Sequence, residues 1–144
     1  MSGLDYSSVV KELARHMGLA QIDLQKTPEL EIDGVAVALS GGSDAQGAWM
    51  QGAALVATLG RHRFSDRLGE LLLQANTLGP ATQGATFGMD FNSGHIVLAR
   101  RLALDTPVRR LAVEWCRLAQ AASAWAAAIE NGTESDYAAG GTEK

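Results

Sequence analysis

What the sequence lacks excludes most chemistry before any motif is considered. It holds one cysteine, Cys116, in 144 residues. No intrachain disulfide can form, and a reducing compartment is the expectation. Its three histidines, His16, His62 and His95, lie in unrelated segments with no companion Cys, Asp or Glu at metal-ligand spacing. Neither a metal site nor a catalytic centre is expected, because a real site must bring such groups together. The glycines at 41, 42 and 47 precede no Gly-Lys-Ser/Thr and no helix, so they do not form a phosphate loop. No nucleotide or other cofactor is therefore expected. The start, MSGLDYSSVVKEL, has neither a basic opening nor a continuous apolar run, unlike a signal peptide. The most apolar segment, residues 119–129, is mostly alanine and well short of the ~20 residues that a bilayer span needs. A net charge of −4 argues against nucleic acid and against an anionic membrane surface. The expectation is a cytoplasmic protein without membrane insertion.

What is present is a globular composition, 47% apolar and 19% charged, at a length suited to one domain with one core. Its centre is the stretch from residue 72 to 105. Leu68, Leu71, Leu72, Ala75 and Leu78 recur at steps of three and four, one face of a helix that Gly79 and Pro80 stop. Ala85, Phe87, Met89 and Phe91 then alternate with Thr86, Gly88 and Asp90, the period of a half-buried strand. Asn92-Ser93-Gly94 turns the chain, and the return strand sets Ile96, Leu98, Leu102 and Leu104 against Val97, Ala99 and Arg101.

The flanks follow the same rules. A first helix runs from a cap at Asp5 or Ser7 to Met17, with Tyr6, Val10, Leu13 and Met17 on its apolar face and Val9 widening it. A short strand near 29–33 follows the break at Thr27-Pro28. Next comes a strand alternating Val35, Val37 and Leu39 with Ala36, Ala38 and Ser40, then a flexible loop over 40–47. A third strand, 48–58, places Trp49, Leu55 and Ala57 on one face and Met50, Ala54 and Val56 on the other. Ser65 and Asp66 cap the second helix. Asp105 or Thr106 caps the last, with Pro107 in its first turn. Along that helix Val108, Leu111, Trp115, Leu118, Ala122, Trp125 and Ile129 form an unbroken seam. The domain is expected over 1–130, and 131–144 as a disordered tail. The order is α-β-β-β-α-β-β-α, an α+β fold with a mainly antiparallel twisted sheet and helices packed on one face.

The residues Leu72-x-x-Ala75-Asn76-x-Leu78-Gly79, Thr82-x-Gly84-Ala85-Thr86-x-Gly88-x-Asp90 and Gly94-x-x-Val97-Leu98-x-x-Arg101-Leu102-x-Leu104-Asp105, in that order, closely resemble the type III secretion chaperones of the Tir-chaperone (CesT) family, class I. The resemblance is strongest over 66–105. It implies a homodimer with the first and third helices on the sheet and the middle helix at the twofold interface. It also implies a chaperone that binds an N-terminal, non-globular segment of a secreted effector, keeps it secretion-competent and releases it at the export apparatus, with the export ATPase as a further partner. No enzyme activity is implied.

Three helices cannot cover both faces of a five-stranded sheet, and uncovered apolar surface usually marks an interaction site. The candidate effector contacts are Val35, Val37, Leu39, Trp49, Met50, Leu55 and Val56 from the strands, with Val9 and Leu13 from the first helix. The candidate dimer contacts are Leu68, Leu71, Leu72, Ala75, Leu78 and Phe87. Arg100-Arg101 and Arg109-Arg110 suggest a basic strip, read as a solvated face or a few salt bridges to a partner. Two alternatives stand beside the chaperone: a protein of the same fold that sequesters a secretion regulator, and a small-ligand domain. The second needs a pocket of convergent polar groups, and the strands offer almost no inward His, Asp or Glu to build one.

Overall fold

The alternating apolar segments form a five-stranded sheet. The computed structural model describes residues 5–18, 29–58, 65–78, 84–90 and 92–140. Its elements are α1 (Tyr6–His16), β1 (Glu29–Ile32), β2 (Val35–Asp44), β3 (Gly47–Thr58), α2 (Asp66–Leu78), β4 (Thr86–Asp90), β5 (His95–Ala103) and α3 (Val108–Gly140). All strand pairs are antiparallel, in the order β1-β2-β3-β5-β4. This is the α+β arrangement expected from the pattern. The expectations for the Thr27-Pro28 break, for His62, for the Gly79-Pro80 break, for Thr82 and for Phe91 fall outside the described residues.

Local chemistry sets the ends. Asp5 caps α1, its Oδ1 accepting the Ser8 N–H at 2.8 Å. Ser65 Oγ does the same for the Leu68 N–H of α2 at 3.1 Å. Asp33 and Gly34 both have positive φ, 51° and 83°, and join β1 to β2 through a two-residue turn. At the β4–β5 turn the Asp90 carboxylate accepts the Asn92 N–H, and that bond holds the Asp90 pKa below its ordinary value.

α1 and α3 lie side by side on one face of the sheet. Their apolar faces and the facing strand residues make the core, with Leu13, Leu30, Val37, Met50, Ile96, Leu98, Leu111 and Trp115 fully enclosed. The α3 seam behaves as its spacing predicts: Leu111, Trp115, Leu118, Ala122 and Ile129 are buried, Val108 and Trp125 half-buried. Trp115 lies flat over Gly52 of β3, where an added Cβ would come within 2.8 Å of the ring. One buried charge crosses this layer. Glu114 of α3 accepts a hydrogen bond from Arg100 of β5 at 2.6 Å and ties the helix to the sheet.

Three features differ from the expectations. Residues 40–44 are strand, not flexible loop, and only Ala45 and Gln46 turn the chain. The glycines there supply room: a side chain at Gly41 would overlap the Tyr6 ring on the core side, and one at Gly42 would overlap Trp49 on the other. A bulge between Leu55 and Ala57 breaks the strict alternation of β3. Val56 is buried and Ala57 half-buried in the same core, so Ala57 leaves the face it would share with Leu55. Finally, α3 continues to Gly140, ten residues into the segment expected to be a disordered tail. Extending an existing helix needs no new nucleus, so the helix can run on past Ile129.

Candidate protein interface

The register divides the sheet cleanly. The pairs Leu30↔Val37, Val37↔Ala54 and Ala54↔Leu98 lie on the helix-covered side. The pairs Gly42↔Trp49, Ala38↔Ala53, Gln51↔Arg101 and Leu55↔Val97 lie on the opposite side. Among the described residues no helix covers that second face, and none of its strand side chains is buried. At its centre Leu55 is 39% exposed beside Val97, with Ala53 and Ala99 forming a low floor. Trp49 lies over Gly42, and the Arg101 guanidinium stacks on the Trp49 ring with Cζ 3.6 Å from the centroid. Arg101 also donates to Gln51 Oε1 at 3.2 Å. The result is a shallow apolar surface with one cation held in place.

The two sheet edges differ. At β4, Asn76 of α2 acts as a surrogate strand: its Oδ1 accepts the Phe87 N–H at 2.6 Å and its Nδ2 donates to the Phe87 carbonyl at 3.5 Å. Phe87 in turn meets Trp125 edge-on, with centroids 5.0 Å apart. At the other edge, β1 pairs with β2, and no described strand pairs with its outer side. An edge strand of this kind can accept a further strand.

The structure separates the candidate contacts. Val9 and Leu13 on the inner face of α1, and Val37, Leu39, Met50 and Val56 on the strands beneath the helices, are core residues, inaccessible to a partner while the helices stay seated. The physical reason is the period of two: the more apolar of a strand's two faces goes to the helices. Val35 and Trp49 are half-buried and Leu55 is exposed, so these three remain at the surface. Val97, Gln51 and Arg101 join them, which sequence alone did not indicate because it gives no register between β3 and β5. On α2, Leu68, Leu72 and Ala75 turn inward and Phe87 is half-buried, while Leu71 and Leu73 are 44% and 68% exposed. The side chain of Leu78 falls outside the description. Leu71 and Leu73, two positions apart and so about 200° apart around the helix, are exposed on opposite flanks of that inward stripe.

Among the described residues no group of three or more His, Cys, Asp or Glu is placed to hold a metal. None of the described helices is long and apolar enough to cross a membrane.

Two solved structures share this fold. A chain of the ExsC–ExsE complex superposes with a TM-score of 0.62 at 18% identity, over 83% of this chain and 89% of that one. A chain of the HopA1–SchA chaperone–effector complex gives 0.63 at 18% identity, over 84% and 92%. No curated protein matches the sequence. The profile of the Tir chaperone protein (CesT) family matches residues 8–126, most of the chain and every sheet strand. On that match the chain belongs to the Tir chaperone protein (CesT) family.

Proposed function

We propose that the chain is a cytoplasmic, non-enzymatic type III secretion chaperone. It holds an N-terminal, non-globular segment of a secreted effector and keeps it extended and secretion-competent until the export apparatus takes it. The observation that carries this reading is the sheet face around Leu55, Val97, Trp49 and Arg101, which no described helix covers, in a sheet whose β1 edge pairs with no described strand on its outer side. An unfolded segment can add a strand at such an edge and place isolated apolar side chains on the adjoining face, spreading modest affinity along its length. Family membership and the likeness to a chain of a chaperone–effector complex support the same reading.

Co-purification of the tagged protein from its native bacterium tests it. The expected result is one secreted protein retained through its N-terminal segment, at two chaperones per client. Leu55→Asp should weaken that retention by about tenfold or more, since a carboxylate would be placed against apolar anchors. Leu55 is exposed, so the variant should melt as the parent does. Recovery of a transcriptional regulator would keep the surface and change the role. A dimer that retains only a small molecule would overturn the chaperone reading.

The dimer belongs to the same proposal, with α2 as its interface. A twofold contact must be self-complementary, and the flank of α2 that exposes Leu71 can pair with its own copy. Leu71→Asp should convert the dimer into a monomer or an aggregate by light scattering, whereas an unchanged dimer would move the interface off α2.

A further inference from the structure

The outward face of α3 carries a second, chemically different surface. Residues 100–117 hold five arginines against Asp105 and Glu114, a net of +3 in a chain whose total is −4, so the remainder carries −7. The fold divides that charge: Arg101 lies on the opposite face of the sheet and Arg100 is held by Glu114, which leaves Arg109, Arg110 and Arg117 on the outward face of α3. Arg109, Arg110 and Arg117 border an open hollow of about 510 Å³ on α3, and a second of about 340 Å³ continues toward His16 at the end of α1. Between them stands Val113, 47% exposed. Positions 109, 113, 117 and 120 advance by three or four and form one stripe about 17 Å long.

The one acid in this patch does not neutralise it. Glu114 is buried and engaged by Arg100 at 2.6 Å, whereas Arg110 and Arg117 approach it only to 3.9 and 3.7 Å with mostly exposed side chains. The Arg109 side chain has no ion pair or hydrogen bond among the described residues. Cations therefore surround an apolar residue that no described residue covers.

We infer that this stripe is a docking site for an acidic amphipathic helix of a second protein, which seats an apolar side chain on Val113 and sets carboxylates against Arg109, Arg110 and Arg117. Charge complementarity selects the sign of the partner, and the apolar centre selects its class. A phosphate backbone gains nothing from an exposed valine, and single-stranded nucleic acid would require aromatic platforms that this face does not have. A protein helix uses both features, an apolar anchor inside a charged rim. The site lies on the helix side of the sheet, opposite the uncovered face. Client and second partner can therefore be held together.

The probe is a pair of designed helical peptides with the same leucine stripe, one flanked by glutamates and the other by lysines, titrated by fluorescence anisotropy against the whole chain. The glutamate peptide should bind and the lysine peptide should not. Arg109→Glu combined with Arg117→Gln should weaken the glutamate peptide about tenfold or more at low salt, and raised salt should weaken the parent in the same direction. Val113→Asn provides a second variant with no charge change and should also reduce binding. Equal binding of the two peptides, or variants that bind like the parent, would overturn the inference. So would duplex DNA or phosphatidylglycerol vesicles competing the glutamate peptide off this face. Retention of a secreted client by the Arg109/Arg117 variant would show that the two surfaces are separate; its loss would assign these arginines to the client and overturn the inference.

Discussion

Trp115→Ala is expected to lower the midpoint of thermal unfolding by about 10 °C or more, measured by circular dichroism, through a loss of about 3–5 kcal/mol. Trp115 is fully buried and is the largest side chain between α3 and the sheet. It lies on Gly52, which has no side chain to fill the space that the indole would vacate. The contact also positions the interface, because β3 carries Met50, Gly52 and Ala54 toward α3 and Trp49, Gln51 and Leu55 toward the open face. Loosening α3 should therefore weaken client retention as well. Trp115→Phe should cost much less than its loss of volume suggests. The indole N–H has no hydrogen-bond partner among the described residues, and removing a buried unpaired donor offsets part of the lost packing. Gly52→Ala should destabilise for the reverse reason, its new methyl being only 2.8 Å from the ring. A melting point for Trp115→Ala within a few degrees of the parent would mean that the indole is not the contact that seats α3.

The elements that sequence placed well are those whose burial is one-sided. The α3 seam has a single face to satisfy, so its apolar period maps directly onto Leu111, Trp115, Leu118 and Ala122. The β4–β5 hairpin is equally legible, since the alternation of Phe87 and Met89 meets a turn-forming Asn92-Ser93-Gly94. Errors arose where one residue type serves two physical purposes. The glycines at 41 and 42 were read for backbone freedom, but they provide space, one for Tyr6 and the other for Trp49. Local sequence carries no sign of that, because Tyr6 comes from α1. The same limit explains the bulge at Val56, which exists only in relation to β5.

The candidate interface was legible in kind but not in residue. That a sheet face would stay uncovered follows from counting helices against faces. Which face does not follow, because β2 and β3 are apolar or small on both sides. Register across β3 and β5 decides it, setting Leu55 beside Val97 and Trp49 beside Arg101, and placing Arg100 and Arg101 on opposite sides of the sheet. A basic strip read from adjacent arginines thus contains two unrelated structures: a buried strut and a surface cation. On α2 the stripe of Leu68, Leu72 and Ala75 was assigned to a second copy, but the chain's own core takes it, leaving Leu71 and Leu73 outside.

The strut leads to the second large effect. Glu114→Ala should cost about 3 kcal/mol, because it removes one member of a buried pair and leaves the partly buried Arg100 guanidinium without its carboxylate. Arg110→Ala and Arg117→Ala should each change stability by less than about 1 kcal/mol, since those side chains are mostly exposed and their contacts with Glu114 are long. The contrast separates a structural role for Glu114 from one in surface charge alone. Replacing both partners sharpens it. Arg100→Met with Glu114→Leu should recover most of what the single change loses, as apolar pairs of similar volume often do in place of a buried ion pair. Chemical denaturation of the parent, Arg100→Met, Glu114→Leu and the double variant in a double-mutant cycle gives the coupling directly. A cycle with no coupling would reduce the 2.6 Å contact to coincidence, and α3 would then be held to the sheet by its apolar seam alone. Strong coupling would mean that the charge fixes the lateral position of α3 on β5, which apolar packing by itself leaves loosely specified.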